Sequence, residues 1–270
     1  MVFFPNCKIN LGLNIVGKRT DGYHDLETFF YPVQLRDAIE VIERPEFRFS
    51  ASGLDINGNN SDNLCVKAYD LLKKDFPGLP PVHLHLHKAL PIGAGLGGGS
   101  ADGAFTLKLL NKKFKLELSQ KQLINYASQL GSDCPFFIIN KPCYATGRGE
   151  ILEETAIDLS GYKMVLVHPG ILISTAWAFG QINPCRPVMK IKEIIRQPVD
   201  VWKEDLRNDF EQPVFNKYPE IKKIKDDLYA AGAVYAAMSG SGSTVYGIFP
   251  KDSKLLLSLP REYFIKEFGY

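Results

Sequence analysis

Five glycines lie within the seven residues from Gly93 to Gly99, directly before the amphipathic run from Ala101 to Phe114. Glycine lacks a Cβ, so such a backbone can adopt positive φ angles and turn several N–H groups toward one anion. A helix that follows the glycines adds the positive end of its dipole. The segment from Pro91 to Ser100 is therefore predicted to be a phosphate-binding loop followed by a helix.

The loop differs from two common nucleotide-binding motifs. Residues 100–102 read Ser-Ala-Asp where the G-x-x-x-x-G-K-[S/T] loop requires Lys followed by Ser or Thr. The spacing G-x-G-x-x-G does begin at Gly93, but Pro91 separates it from the preceding strand. The acidic residue expected about 20 positions later, Glu117, lies in a polar stretch and not at a strand end. A flexible linker would mix Gly, Ser and Pro without an attached helix. An anion-binding loop is favoured over both alternatives.

Composition limits the class of protein. The 270 residues, 45% of them hydrophobic, suffice for one large domain or two ordinary ones. The 32 Lys and Arg residues nearly balance 30 Asp and Glu residues and are scattered, so no nucleic-acid or membrane partner is expected. The N-terminus lacks the pattern of an export signal. The five cysteines are widely spaced without C-x-x-C, which is typical of a reducing compartment. We expect a cytoplasmic protein.

Two polar positions stand out besides the loop. Residues 8–15 alternate polar or small with hydrophobic, which predicts a strand with Lys8, Asn10 and Asn14 on one face. Asp133 precedes Pro135, which suits the first turn of a helix. Ser132 or Asp133 could cap that helix. The local sequence favours this role for Asp133, which could also supply a carboxylate to a site. Both roles can coexist, because backbone N–H donors stabilise an ionised carboxylate.

Three histidines, His83, His85 and His87, alternate with hydrophobic residues. On a strand they would share one face, and a metal site is conceivable. Alternation is also typical of any half-buried strand, so a polar strand face is the favoured interpretation.

Strand and helix patterns follow one another irregularly and without repeats, which indicates an α+β protein. A new buried strand begins at Tyr162, so we place a domain boundary near residue 155, with domains at 1–155 and 156–270.

The second half predicts helices at 201–216 and 220–231 and strands at 233–238 and 244–249. The turn at 239–243 could supply further backbone donors or be only a hairpin loop rich in serine.

Several separated stretches match one family of proteins. They are Cys7–Ile15, Arg19–Thr28, the glycine loop and Met238–Thr244. Together they resemble the GHMP small-molecule kinases. Similarity at Asn63–Leu64, Leu130–Pro135 and Asn208–Glu211 extends this resemblance over nearly the whole chain. The segment Asp21–His24 narrows it to the members that act on cytidine-diphosphate methylerythritol.

The resemblance implies the two-domain α+β fold of GHMP kinases. The N-terminal domain, which binds ATP, would be α/β and similar to domain 2 of ribosomal protein S5. The C-terminal domain would be a ferredoxin-like α+β domain, with the active site in the cleft between the two.

The implied activity is ATP-dependent phosphorylation of the 2-hydroxyl of cytidine-diphosphate methylerythritol, giving the 2-phosphate and ADP, in the methylerythritol phosphate route to isopentenyl diphosphate. Asp133 would face the hydroxyl as a catalytic residue, with Lys8 as its partner. Phosphoryl transfer requires alignment and charge stabilisation, and a nearby ammonium favours the ionised carboxylate. Whether Asp133 accepts the proton early or late is left open.

The resemblance also assigns binding residues. ATP would be held by Asn63, beside the adenine, and by the loop residues Pro91, Ile92, Gly93, Ala94, Gly95, Leu96, Gly97, Gly98, Gly99, Ser100 and Ala101. The second substrate would be held by Asn10, Tyr23, His24, Thr175 and Phe179. Its cytosine would stack between Tyr23 and a second ring, Phe179 or, in reserve, Trp177. Core packing is the alternative role for these aromatic residues, and for Phe179 especially. Mg²⁺ would arrive with ATP, with Ser100 as one possible ligand.

Two other interpretations stay open: a GHMP kinase for mevalonate or homoserine, and a nucleotide-binding protein without catalysis. The presence of both Lys8 and Asp133 argues against the second. The chain departs from the family at Cys7, commonly alanine, and at Ala101, where a second serine is usual. The missing hydroxyl removes one possible phosphate or metal contact. No protein partner is implied.

Overall fold

A computed structural model describes residues 1–56 and 58–269. The strands are β1 (Val2–Phe3), β2 (Asn6–Lys18), β3 (His24–Arg36), β4 (Ala38–Glu43), β5 (Arg48–Gly53), β6 (Val82–Lys88), β7 (Cys143–Thr146), β8 (Ile151–Glu154), β9 (Tyr162–His168), β10 (Tyr235–Met238), β11 (Val245–Pro250) and β12 (Phe264–Gly269). The helices are α1 (Leu64–Asp75), α2 (Gly98–Phe114), α3 (Gln120–Leu130), α4 (Cys134–Ile139), α5 (Thr175–Gly180), α6 (Ile191–Ile194), α7 (Trp202–Asp205), α8 (Glu211–Lys217) and α9 (Pro219–Ala230). None of the helices in the described residues has the length and hydropathy needed to span a bilayer.

The chain forms two compact units, each assembled from separate stretches. The first consists of residues 1–8, 32–92 and 97–141, and the second of residues 9–31, 93–96 and 142–270. Strands and helices are mixed in both, so the predicted α+β class is confirmed. The division at residue 155 stays a prediction about the domains.

The first unit contains a sheet in the order β1-β4-β6-β5, in which β5 runs parallel to β6 and the other neighbours are antiparallel. Val82, Leu84 and Leu86 of β6 are buried. Helices α1 to α4 pack against one another, and α2 also packs against β4. The alternation in the sequence thus sets which side of β6 joins the core.

The other side of β6 carries the three histidines. Ser50 Oγ lies 2.7 Å from His83 Nε2 and 2.8 Å from His85 Nδ1, and Ser52 Oγ lies 2.9 Å from His85 Nε2 and 3.0 Å from His87 Nδ1. The favoured interpretation, a hydrogen-bonded polar face of a strand, is confirmed.

The second unit contains an antiparallel sheet in the order β10-β11-β9-β12, covered by α9 on β10 and β11. Its hydrophobic core includes Val165, Val167, Phe210, Ile221 and Leu228. β12 has no counterpart among the sequence predictions.

A third sheet has the order β2-β3-β7-β8. Ten consecutive residues of β2, from Asn6 to Ile15, are buried, so both of its sides are covered. Asn10 and Asn14 are therefore buried together with the hydrophobic residues that alternate with them.

Residues 119–122 read Ser-Gln-Lys-Gln, a capping-box pattern that predicts a helix start at Ser119, and the structure confirms it. Ser119 Oγ accepts the Gln122 N–H, and Gln122 Oε1 accepts the Ser119 N–H at 2.9 Å, which completes the capping box of α3. The helix predicted at 220–231 is also present, as α9.

The helix predicted at 201–216 is wrong, because the chain is extended between α7 and α8. Asn208 pairs with Leu13 in a parallel bridge, in which Leu13 N–H donates to Arg207 O and Asp209 N–H donates to Leu13 O, both at 2.8 Å. The Asp209 carboxylate also accepts the Ile15 N–H at 2.7 Å. Pairing with the edge of β2 satisfies backbone groups that a continuous helix would have satisfied within itself. Tertiary contacts therefore override local propensity here.

Three buried ionisable side chains fix the segment that leads into the glycine loop. Lys88 Nζ lies 2.5 Å from Asp37 Oδ2 and 2.8 Å from Asp102 Oδ2. Asp37 Oδ1 accepts the N–H groups of Ala89 and Leu90. Burial raises the pKa of Asp102 to about 8, with Lys88 opposing the rise and Asp37 adding to it. The cluster joins the end of β6 to the first turns of α2.

Replacing Lys88 by methionine should strongly destabilise the protein. The substitution leaves two buried carboxylates without a cation, and loss of one partner of a buried ion pair costs about 3–5 kcal/mol. Urea unfolding of Lys88→Met against the parent chain measures the difference. Lys67→Met is the control, because Lys67 forms an exposed pair with Asp62 at 3.5 Å that should contribute about 1 kcal/mol or less. Equal losses in the two variants would contradict the prediction.

Candidate active site

The glycine loop has the backbone conformation predicted for it. Gly93, Gly95 and Gly97 have φ angles of 65°, 77° and 69°. Gly97 is the N-cap of α2, which begins at Gly98, three residues earlier than the amphipathic pattern indicates. The last glycines therefore form the first turn of α2, where backbone N–H groups lack intrahelical acceptors.

Gly95 packs directly on the turn after β10. A Cβ at Gly95 would lie 2.0 Å from Ser239 O, which no side chain can tolerate. Ser239 Oγ donates to Gly95 O at 2.8 Å, and Thr244 N–H donates to Ala94 O at 3.2 Å. The serine-rich turn thus supports the first half of the loop.

Asn208 holds that turn in place. Its amide donates to Met238 O at 2.7 Å and to Gly240 O at 2.8 Å, and its Oδ1 accepts the Phe210 N–H. Asn10 N–H donates to Ser239 Oγ at 3.2 Å. The turn is therefore more than a hairpin loop, and its contribution of backbone donors to a ligand stays a prediction.

Lys8 and Asp133 lie together in the first unit. Lys8 Nζ is 3.4 Å from Asp133 Oδ2, although 125 positions separate the two residues. The Lys8 side chain is buried, whereas the Asp133 side chain is 30% exposed. A Cβ at Gly97 would lie 3.1 Å from Lys8 Cε and 3.0 Å from Phe137 Cζ. The loop backbone thus passes close to the Lys8 side chain, and the φ of 69° at Gly97 favours glycine there.

Asp133 occupies the N-cap position of α4, but in the described residues its side chain makes no capping hydrogen bond. The interpretation of Asp133 as a side-chain cap is wrong, because its carboxylate is directed to Lys8 instead. Ser100 hydrogen-bonds the neighbouring Cys134, and burial raises the pKa of the Cys134 thiol to about 12. Cys134 is accordingly unsuited to act as a nucleophile.

The aromatic residues that the family resemblance assigns to substrate binding lie in the second unit. Tyr23 is 56% exposed. The His24 ring stacks on Phe179 with 5.0 Å between centroids and 22° between planes, and Phe179 meets Phe210 edge-on at 4.9 Å. Stacking on His24 adds a surface contact to the core packing of Phe179.

Trp177 has different neighbours. Lys217 Nζ lies 4.1 Å from its ring centroid, and Tyr218 packs edge-on against it at 6.3 Å. Thr175 Oγ1 lies 3.1 Å from Ser241 Oγ in the serine-rich turn. The structure thus brings Phe179, and not Trp177, together with His24.

Comparison with known proteins shows the family of this chain. Residues 63–141 match the GHMP kinases N terminal domain, and residues 191–264 match the GHMP kinases C terminal domain. The 4-diphosphocytidyl-2-C-methyl-D-erythritol kinase of Bacteroides fragilis is 54% identical over 259 residues, 94% of each chain. A crystal structure of 4-(cytidine 5'-diphospho)-2C-methyl-D-erythritol kinase matches with a TM-score of 0.78 and 30% identity, over 92% of this chain and 90% of that one.

This chain belongs to the 4-diphosphocytidyl-2-C-methyl-D-erythritol kinase family. It is a GHMP kinase in fold and an enzyme of that family, and membership makes ATP the phosphoryl donor. The mevalonate kinase of Methanococcus jannaschii, with a TM-score of 0.68 and 14% identity over 99% of this chain and 97% of that one, shares the fold alone. The mevalonate-type and non-catalytic alternatives are not favoured.

Two residues that the family resemblance assigns to ligands have structural contacts as well. The Asn10 amide donates to Thr28 Oγ1 at 2.9 Å, and Asn10 is buried. Asn63 is the N-cap of α1, where its Oδ1 accepts the Cys65 N–H at 2.9 Å. Contacts of Asn10 with substrate and of Asn63 with adenine stay predictions.

Sequence reasoning missed the buried charges that support the site. Lys88 has the same parity as Val82, Leu84 and Leu86, so an inward-facing lysine could have been found from the strand pattern alone. Glu27 gave no such signal. Its carboxylate accepts hydrogen bonds from Asn14 Nδ2 at 2.9 Å and Tyr144 OH at 2.6 Å, residues that only the third sheet brings together.

A metal ion would depend on ATP for most of its ligands. Among the described residues no group of three or more His, Cys, Asp or Glu is placed to hold a metal. The hydroxyl of Ser100 and the exposed part of the Asp133 carboxylate are oxygen donors of the kind that Mg²⁺ accepts beside phosphates. The residues fit an ion delivered with a triphosphate.

Gly95→Ala should disrupt the loop and weaken ATP binding. The new Cβ overlaps Ser239 O, and a φ of 77° costs a residue with a side chain about 1–2 kcal/mol before that overlap is counted. Calorimetric titration with ATP measures the effect. Gly78→Ala is the control, because nothing lies within 4 Å of a Cβ there. An unchanged ATP affinity in Gly95→Ala would contradict the prediction that close packing of Gly95 on Ser239 is needed for ATP binding.

Proposed function

We propose that this kinase transfers the γ-phosphoryl group of ATP to the 2-hydroxyl of 4-diphosphocytidyl-2-C-methyl-D-erythritol, giving the 2-phosphate and ADP, in the methylerythritol phosphate route to isopentenyl diphosphate. The observation that carries the proposal is the Lys8–Asp133 pair at 3.4 Å, beside Gly97 of the glycine loop, where α2 begins. The substrate is that named for the Bacteroides fragilis relative. Cytidine recognition is supported by the exposed Tyr23 and the His24–Phe179 stack.

In this proposal Asp133 orients the hydroxyl and accepts its proton. The alcohol oxygen forms a bond to the γ-phosphorus while the bond from that phosphorus to the β-phosphate bridging oxygen breaks, so ADP leaves with the electron pair. Phosphoryl transfer depends mainly on positioning and on charge stabilisation. The Asp133 carboxylate is partly exposed and directed to a cation, as a group that must meet a ligand requires.

Lys8 has two functions in the proposed reaction. Its ammonium orients the Asp133 carboxylate, and it offers N–H donors to charge that develops on the transferring group. The buried Lys8 side chain is held between the strand and the loop, so little reorganisation is required when ATP binds. Mg²⁺, when bound with ATP, would neutralise phosphate charge. The hydroxyl of Ser100 is an oxygen donor that could be one of its ligands.

The second substrate would be bound from the second unit. Tyr23 offers an exposed ring to the cytosine, His24 offers ring nitrogens to the base edge, and Phe179 supplies the second aromatic surface. In the structure His24 itself stacks on Phe179, so a cytosine on Phe179 would replace the imidazole on that ring face. Asn10 and Thr175 complete the proposed set of substrate-binding residues.

Asp133→Asn should lower kcat by about 10²–10⁴-fold, because the amide cannot accept the hydroxyl proton. ATP affinity should change little, since the glycine loop is intact. Steady-state kinetics and an ATP titration measure the two effects. Asp158→Asn, an exposed carboxylate in a loop, is the matched control. Near-normal turnover of Asp133→Asn would refute its role.

Phe179→Leu and Trp177→Leu separate the two candidate stacking residues. Loss of a ring that stacks on a base costs about 1–3 kcal/mol, so Phe179→Leu should raise the KM for the cytidylyl substrate about tenfold or more. Trp177→Leu should leave that KM near its original value, because Trp177 packs with Lys217 and Tyr218. The KM for ATP should be the same in both variants. The reverse pattern would assign the second ring to Trp177.

The proposed reaction is tested by a phosphate-transfer assay with a panel of alcohols. The panel contains the cytidylyl substrate, mevalonate and homoserine, and NMR identifies the phosphorylated position of each product. We expect turnover of the cytidylyl substrate with phosphate on the 2-hydroxyl. Turnover of mevalonate or homoserine alone would reject the proposed substrate, and no ATP consumption with any alcohol would support a binding protein without catalysis.

A further inference from the structure

Arg148 lies against the ring proposed to stack the cytosine. Its guanidinium carbon is 4.9 Å from the centroid of Tyr23, within the range of a cation–π interaction. Because Tyr23 is 56% exposed, one face of its ring can be covered by the cation while the other remains accessible to a base.

The turn between β7 and β8 fixes the backbone of Arg148. Gly147 and Gly149, on either side of it, have φ angles of 69° and 111°. Leu26 N–H of β3 donates to Gly147 O at 2.7 Å, and Arg148 N–H donates to Glu150 Oε2 at 2.6 Å. The turn is thereby tied to the strand that follows Tyr23, so the position of the guanidinium over the ring is built into the sheet.

The donors of Arg148 are largely unused by the protein itself. Within the described residues the guanidinium makes no hydrogen bond, and its ion pair with Glu150 has a closest approach of 3.5 Å, from Nε to Oε1. Arg19, which precedes Tyr23 in the sequence, is instead bound to Asp21 at 2.9 Å and to Asp25 at 3.0 Å. Of these two arginines, Arg148 is therefore the one whose planar array of N–H donors is available to a ligand.

We propose that Arg148 is a specificity residue for the diphosphate of the substrate: its guanidinium packs on one face of Tyr23 and donates hydrogen bonds to a phosphate group of the cytidine diphosphate. A guanidinium can stack on an aromatic ring and bind phosphate in a bidentate manner at the same time, which an ammonium cannot do. The diphosphate is joined to the cytidine that Tyr23 would hold, so the base and phosphate contacts would reinforce each other. This inference rests on the proposed function. It adds a residue that binds the negatively charged diphosphate of the substrate.

The test compares cytidine with cytidine diphosphate as ligands of the full-length protein. Calorimetric titration is carried out on the parent chain, Arg148→Gln and Arg148→Lys. We expect the parent to bind cytidine diphosphate at least about tenfold more tightly than cytidine, from charge-assisted hydrogen bonds. Arg148→Gln should lose most of that preference while it retains binding of cytidine. Arg148→Lys should recover part of it, because the charge returns without the planar donors.

Arg261→Gln is the matched control, because it removes the same charge from an exposed turn. It should keep the parent preference for the diphosphate. In steady-state assays, Arg148→Gln should raise the KM for the cytidylyl substrate about tenfold while the KM for ATP stays constant.

Two results would overturn the inference and leave the proposed function intact. In the first, Arg148→Gln keeps the full preference for the diphosphate. In the second, it weakens cytidine and cytidine diphosphate by the same factor, which would mean that Arg148 only supports Tyr23. Failure of the parent chain to bind either ligand would instead contradict the proposed substrate, and with it this inference.

Discussion

The candidate site depends on one constraint: the backbone of the glycine loop passes very close to neighbouring residues. A Cβ at Gly95 would overlap Ser239 O, and a Cβ at Gly97 would lie in tight contact with the side chains of Lys8 and Phe137. Both residues also have positive φ angles. A loop under these two restrictions can present N–H groups to phosphate, but it cannot accept side chains at those positions.

Such a loop needs rigid support, and much of that support is charged and buried. The Asp37–Lys88–Asp102 cluster fixes the residues before the loop and the helix after it. In the second unit Glu27 joins Asn14 and Tyr144. Buried ion pairs contribute little net stability, because desolvation offsets their attraction. Here they hold backbone segments in register, which hydrophobic contacts would do less specifically.

Residues near the site are of two kinds: some hydrogen-bond to other parts of the protein, and others are accessible to a ligand. The Asn208 amide donates hydrogen bonds to backbone carbonyls of the serine-rich turn, and the Asn10 amide donates to Thr28. The Asp133 carboxylate is spared from capping α4 and remains partly exposed beside Lys8. Tyr23 is exposed and flanked by cationic Arg148. Of the groups that the proposed chemistry requires, Asp133 and Tyr23 are thus accessible, whereas Lys8 is buried beside Asp133.

The sequence by itself determined the glycine loop, the α2 and α3 helices, the strand alternation of β6 and the α+β class, because turn chemistry, capping and periodicity are local properties of consecutive residues. Through family resemblance it also identified Lys8 and Asp133 as partners. Only the tertiary structure decided that residues between α7 and α8 are extended, since their partner at Leu13 is almost 200 positions away. It likewise decided that Asp133 faces Lys8 and does not cap its helix, and that Lys88 lies between two aspartates. Hydrogen bonds and ion pairs between distant segments leave no periodic trace in the chain, so their partners are fixed only when packing brings those segments together.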